Sequence, residues 1–205
     1  MKFIIKLCVA VLGVGAMILC AGVFADRICL DENLIRLHVV ANSDTEEDQQ
    51  LKLEVRDEIV QFLKEEMKEI TDVSQAKEFI KENLNKLKSI AEAVIQKAGL
   101  QDKVSVSLQK ECFETRHYDS FSLPSGVYES LRIRIGDAQG QNWWCVVFPS
   151  LCFQAAATEV EEEAVGAGFS HELTDTLTNR DGYQVRFLIL DVLGRIENFF
   201  FRKSN

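Results

Sequence analysis

An alternation of apolar and polar positions, broken only at Val40, follows Leu34 near the start of the body of the chain. Ile35 and Leu37 share one side of this segment, and Arg36 and His38 share the other. A period of two is typical of a strand with one buried side. We therefore predict a strand over residues 34–41, with its apolar side against the core.

A helical spacing of apolar residues replaces the alternation. It predicts a helix over residues 45–69. A capping box of Ser43 with Glu46, or of Asp44 with Glu47, marks the start of this helix. The predicted buried stripe comprises Leu51, Val55, Ile59, Phe62 or Leu63, and Met67.

A second helix is predicted over residues 75–98, with Gly99 as its C-terminal stop. Strand-like alternation returns at residues 104–108 and again at 128–135. In the later strand the expected inward side chains are Leu131, Ile133 and Ile135, and the outward ones are Arg132 and Arg134.

Both tryptophans lie in an apolar and aromatic segment over residues 142–153. Trp143 to Phe148 is an unbroken apolar and aromatic run, of a length that favours a buried strand. Pro149 ends the run because proline has no N–H to donate. The turn at 136–140 predicts that this strand returns as a hairpin beside the preceding one.

Cysteine spacing adds a possible covalent link. Cys152 follows Cys145 by seven residues. In an oxidising compartment this spacing predicts a disulfide, which would stabilise the fold by roughly 2–3 kcal/mol. The alternative is a core strand with two reduced thiols. Cys29 and Cys112 could pair with each other or remain free.

The C-terminal part changes in character. Residues 156–181 carry a run of acidic side chains and glycines, which predicts a short acidic helix and a flexible, solvated linker. Residues 182–205 predict a C-terminal helix that packs on the domain. The apolar positions expected to face the core are Val185, Leu188 or Ile189, Val192, Ile196 and Phe199.

The order of these elements indicates the fold class. Strand, helix, helix, three strands and a final helix predict a single α+β domain over residues 26–155, completed by the C-terminal helix. Two long helices would pack on one face of a small, mostly antiparallel sheet.

The N-terminus predicts export. Lys2 and Lys6 precede an uncharged stretch over residues 7–25, and Ala25 before Asp26 suits cleavage by signal peptidase. The same stretch, as a helix of about 28 Å, could instead remain as a membrane anchor. Both alternatives place the body outside the cytoplasm.

Charge limits the range of partners. The chain of 205 residues has a formal net charge of −9, and its body beyond residue 25 has 21 basic and 32 acidic groups. An acidic body argues against nucleic acid, and against binding anionic lipid through charge alone.

Motifs for catalysis or cofactors are absent from the sequence. There is no phosphate-binding loop, dinucleotide fingerprint, Cys-x-x-Cys or zinc-protease motif. His38 with Ser43 and Asp44 could form a hydrolase site, but the last two are expected to cap a helix. Cys145 lies in an apolar run without a basic neighbour in sequence. We therefore predict no catalytic, cofactor or metal site.

A basic surface is the remaining candidate. Arg36, His38, Arg132 and Arg134 are predicted on the outward side of their strands. If the two strands share a sheet, these side chains form a local basic face. That face could dock an acidic partner, or could be an ordinary solvated face with ion pairs.

Several sequence blocks resemble a known family. They appear in one order and cover roughly residues 30–155. The blocks are Ile35–Asp44, Asp48-Gln49, Leu51-Lys52, Val55-Arg56-Asp57, Thr115-Arg116, Tyr118, Leu123-Pro124, Gly126, Leu131-Arg132, Ile135-Gly136, Gly140, Asn142–Cys145 and Leu151–Phe153. The family is stage II sporulation protein R. Ser150 and Ser130 depart from its usual proline and alanine.

The resemblance implies a signalling protein of endospore-forming bacteria. Members are made in the forespore and exported into the space between the two membranes. There they activate a membrane-embedded aspartic protease, which processes the precursor of the mother-cell sigma factor E. The implied partner is the extracytoplasmic side of that protease.

We expect the chain to act by binding. Trp143 and Trp144 join the basic face as candidate contacts, although both could be core residues. Two other classes remain open, an exported enzyme acting on the envelope and a structural envelope protein. The first predicts turnover without the protease, and the second predicts a retained anchor.

Overall fold

A computed structural model describes residues 2–152, 156–178 and 185–204. Predictions that fall on 153–155 and 179–184 lie outside the described residues. The helices are α1 Lys2–Asn33, α2 Glu46–Glu66, α3 Val73–Glu82, α4 Leu84–Lys97, α5 Ala157–Gly166, α6 His171–Thr178 and α7 Val185–Ser204. The strands are β1 Ile35–Val40, β2 Val104–Phe113, β3 Arg116–His117, β4 Ser122–Leu123, β5 Gly126–Ile135 and β6 Asn142–Phe148.

The main sheet has the order β2-β5-β1-β6. β1 is parallel to β5 and antiparallel to β6, while β2 and β5 are antiparallel. The α+β class and the mostly antiparallel sheet are confirmed. The predicted hairpin of β5 with β6 is wrong because β1 lies between them.

The turn that connects β5 to β6 explains why β1 lies between these two strands. The backbone N–H groups of Gln139 and Gly140 donate to the carbonyls of Asn42 and Ala41, each at 3.0 Å. The connection therefore crosses the end of β1 and enters the sheet on its far side. Gly136 turns the chain at φ +57°, a conformation that favours glycine.

One face of the sheet is covered by α2, α3 and α4. Their buried side chains join those of the sheet in a first core that includes Leu37, Val55 and Ile133. The helix predicted over residues 75–98 is two helices in the structure, α3 and α4. α3 ends at Glu82, and its C-cap Asn83 donates from its side chain to the Phe79 carbonyl at 2.9 Å. The cap of α2 is Thr45, not the predicted Ser43 or Asp44.

The other face of the sheet is covered as well. The second half of α1, the helices α5 to α7 and the segment before β5, residues 114–125, enclose a second core. The expected solvated linker differs from the structure here, since α5 and α6 bury apolar side chains in this core. These are Val160, Ala164, Leu173 and Leu177, with Phe169 between the helices. Their i, i+4 spacing was the available signal.

The C-terminal helix α7 faces opposite to the prediction. It buries Leu190, Asp191, Gly194 and Asn198, while the apolar side chains expected to cap the core are exposed. Asp191 accepts from the Ser125 backbone N–H at 2.9 Å, and Asn198 donates to the Phe113 carbonyl at 2.8 Å. These polar contacts hold the helix with its apolar stripe outward.

The helix α1 runs through the predicted boundary of the export segment. Val23, Asp26, Arg27 and Leu30 are buried on both sides of that boundary. Among the residues described, none of the helices has the length and apolarity needed to cross a membrane. Cleavage after Ala25 stays a prediction.

Candidate partner-binding site

The centre of the predicted basic face is His38. The register of β1 places it between Arg132 on β5 and Trp144 on β6. Its Nδ1 lies 3.1 Å from Glu111 Oε2, its Nε2 lies 3.0 Å from Asn142 Oδ1, and its ring stacks on Trp144 with centroids 3.7 Å apart. His38 is 6 % exposed, so its ring is a packed part of the sheet.

Glu111 neutralises this part of the face. Its Oε1 lies 3.1 Å from Nη1 of Arg132. Burial raises the pKa of Glu111, but the hydrogen bond with His38 and the charge of Arg132 outweigh burial, and the pKa lies below its ordinary value. A charged carboxylate thus lies under the arginine, where the sequence predicted only bases.

Arg36 is fully buried and does not reach the surface. Its guanidinium lies 4.0 Å from the centroid of Phe113 and 5.2 Å from that of Tyr128, and its Nη2 donates to the Tyr118 hydroxyl at 2.9 Å. The prediction of an outward Arg36 is wrong because α1, α7 and the segment before β5 cover its side of the sheet. Aromatic faces replace water around the cation.

The two tryptophans lie on opposite faces of the sheet, as neighbours in a strand must. Trp143 packs on the first core, with the Arg56 guanidinium 4.2 Å from its ring centroid. Trp144 packs on the second core, and Arg116 lies 5.5 Å above it. Both are partly exposed, but one flat partner could not cover both.

The accessible part of the face is a smaller set, which we call the arginine patch: Arg116, Arg132, Arg134 and Trp144. Arg134 and Arg116 are exposed, and the Arg132 side chain is 30 % exposed. Sequence reasoning missed Arg116 and Glu111. The antiparallel pairing of β2 with β5 brings Glu111 to the patch, and that pairing was the signal that could have revealed it. The binding role of the patch stays a prediction.

A second polar cluster, also missed from the sequence, joins α1, β5 and α7. Arg27 donates from Nη1 to the Ser125 carbonyl at 2.8 Å and from Nη2 to Glu197 at 2.7 Å, and it also pairs with Asp31. Burial raises the pKa of Asp31 to about 7 against the opposing charge of Arg27. This cluster fixes the two terminal helices against the sheet.

The raised pKa of Asp31 predicts a pH-dependent stability. Asp31 binds its proton more tightly in the folded protein than in the unfolded chain, whose value is near 3.8. Its contribution to stability is therefore complete below pH ~4 and lost as the pH rises through ~7. Relative to Asp31→Asn, the wild type should lose on the order of 3 kcal/mol in unfolding free energy over that range. Urea unfolding at a series of pH values measures it, and parallel curves for the two proteins would contradict it.

Two of the four cysteines beyond the predicted export segment are covalently linked. Cys145 and Cys152 form a disulfide with their Cα atoms 5.3 Å apart, as predicted. Cys29 and Cys112 are free in the described part of the chain.

The hydrolase arrangement considered from the sequence does not assemble, because Ser43 donates to Asp48 and His38 contacts Glu111. No group of side chains suited to hold a metal ion occurs among the described residues.

These observations define a disulfide-bonded α+β domain whose polar side chains hold one another in place. The family model described as stage II sporulation protein R matches residues 31–158. Stage II sporulation protein R of Bacillus subtilis (strain 168) is 31 % identical over 182 residues, which cover 80 % of this chain and 81 % of that protein. No solved structure matches the chain.

The chain therefore belongs to the stage II sporulation protein R family. Membership supports a role in sporulation. The family's name designates no enzymatic reaction.

Proposed function

We propose that this chain is an exported signalling protein that activates a membrane-embedded aspartic protease, which then processes the precursor of the mother-cell sigma factor E. The observation that carries the proposal is the family match over residues 31–158 together with the relative at 31 % identity. The N-terminal export segment and the disulfide support an extracytoplasmic place of action, the space between forespore and mother cell.

The proposed mechanism is binding without catalysis by this chain. An activator shifts its target only if it binds the active state better than the inactive one. The arginine patch is the surface we assign to that contact, because its exposed cations suit an acidic extracytoplasmic segment of the protease. Arg36 and His38 take part only by supporting the strands beneath.

Co-expression tests the activity. The chain is produced in a non-sporulating host together with the protease and the sigma-factor precursor, and the size of the precursor is read by blot. The same chain without residues 1–25 serves as the control for export. Cleavage that needs the export segment supports the proposal. Absence of cleavage, with a protease shown to be competent by another route, would favour an envelope enzyme or a structural envelope protein.

The same assay tests the surface. Arg134→Glu reverses an exposed charge of the patch, and Lys97→Glu reverses an exposed charge at the end of α4, which covers the opposite face of the sheet. We expect Arg134→Glu to slow precursor cleavage about tenfold, as loss of a favourable interfacial charge does, and Lys97→Glu to have little effect. Thermal melting should be unchanged for both. Equal cleavage by the two variants would exclude the patch as the contact.

A further inference from the structure

The outward face of α7 is an unusual surface for a protein of this size. Seven large apolar side chains on it are between 41 and 70 % exposed. They are Val185, Leu188, Ile189, Val192, Ile196, Phe199 and Phe200, which we call the α7 stripe. A helix of 20 residues is about 30 Å long, so the stripe is an extended apolar surface. Surfaces of this kind mark a site of interaction.

The orientation of the stripe is fixed by contacts on the opposite side of the helix. Asp191, Gly194 and Asn198 meet backbone groups of the segment before β5 and of β2. Turning the helix to bury the stripe would break both hydrogen bonds and press a larger side chain against the Ser125 carbonyl. The outward stripe is therefore part of the folded structure.

Charge on α7 is divided between its two sides. Its acids are already paired, since Asp191 accepts from Ser125 and pairs with Arg195 at 2.8 Å, and Glu197 pairs with Arg27. Arg202 and Lys203 are exposed at its C-terminal end. Together with Arg195 they line a cavity of about 700 Å³ beside Phe199, in which the facing carboxylate is Glu114. An acidic protein thus presents a cationic margin next to its apolar stripe.

The stripe also lies next to α1, close to the end of the predicted export segment. Arg186, at the start of α7, donates from Nε to Asp26 at 2.6 Å and lies close to Gly22 of α1. Phe24 and Ile28 of α1 are themselves exposed. The stripe therefore begins where the predicted export segment ends, whether that segment is cleaved or kept.

We propose that the α7 stripe lies on a phospholipid bilayer, with Arg202 and Lys203 contacting anionic headgroups. An apolar helix face flanked by basic side chains is the pattern of an interfacial helix. A second copy or a protein groove would cover the stripe but would leave the cationic margin without a role. The proposal does not depend on the identity of the protease.

Photocrosslinking of the full chain tests the proposal. Ile196→benzoylphenylalanine places a photoreactive group on the stripe, and Leu100→benzoylphenylalanine places one at an exposed apolar site beyond α4. Each protein is mixed with vesicles of phosphatidylcholine and phosphatidylglycerol and irradiated, and lipid adducts are identified by mass. We expect lipid adducts at 196 to exceed those at 100 about tenfold.

Charge variants distinguish lipid binding by the α7 stripe from attachment of the chain to the vesicle through α1 alone. The double variant Arg202→Gln with Lys203→Gln should lower the lipid adducts at 196 about tenfold, as should vesicles of phosphatidylcholine alone. The matched double variant Lys97→Gln with Lys103→Gln should leave the adducts unchanged. Chain-to-chain adducts at 196, equal labelling at 196 and 100, or labelling insensitive to both charge and lipid would each overturn the proposal.

Discussion

Alanine at position 194 should detach α7 from the sheet. The added Cβ would lie 1.6 Å from the Ser125 carbonyl oxygen, which is backbone and cannot turn away as a flexible side chain would. Losing the helix also loses the hydrogen bonds of Asp191 and Asn198. We expect Gly194→Ala to lower the unfolding free energy by on the order of 4 kcal/mol.

A loss of stability in Gly194→Ala would identify close packing of α7, because the same substitution in an exposed helix has the opposite effect. In an exposed helix, replacing glycine by alanine stabilises by about 1 kcal/mol. Gly166 at the end of α5 has open space around its Cβ position, so Gly166→Ala is the matched control and should be neutral or mildly stabilising. Urea unfolding and limited proteolysis of α7 measure both variants. A Gly194→Ala protein as stable as Gly166→Ala would refute the close packing of α7.

The second large effect is expected on removal of the disulfide. Cys145→Ala with Cys152→Ala should cost about 2–3 kcal/mol of unfolding free energy, because the open loop gains freedom in the unfolded chain. Cys145 is also buried in the first core. The cost should be the same at any protein concentration.

The free cysteines supply the comparison. Cys29→Ala with Cys112→Ala changes two half-buried thiols without opening a covalent loop, and should cost less. Reductant should shift the denaturation midpoint of this variant and of the wild type, but not that of the disulfide variant. If reductant left the wild-type midpoint unchanged, the disulfide would not contribute to stability.

Local patterns predicted the helices and strands well, because periodicity reports which residues share a side. The inward Leu131, Ile133 and Ile135 are all fully buried, as expected. Periodicity does not report what covers the opposite side. Arg36 alternates as an outward residue, yet it is fully buried among Phe113, Tyr118 and Tyr128.

The orientation of α7 is a second case in which periodicity did not predict which side of an element is buried. Apolar spacing alone favours burial of its stripe. The contacts that decide otherwise are to backbone groups of Ser125 and Phe113, which lie 66 and 85 residues away from Asp191 and Asn198. A backbone N–H or carbonyl group leaves no mark in the sequence, so these partners could not be predicted. The arginine patch was predicted in part, since Arg132 and Arg134 lie on one side of a strand, whereas Glu111 and Arg116 arrive through tertiary pairing.

The position of β1 in the sheet sets the order in which the protein can fold. β1 precedes every other strand in sequence, but its partners are β5 and β6, so that Ile35 pairs with Glu129 and Phe148. Contacts of such high sequence separation form slowly, because a long loop must close first. The central strand therefore stays unpaired until residue 148 has emerged, and α7 docks later still. This topology therefore delays completion of the sheet until its last strand, β6, is available.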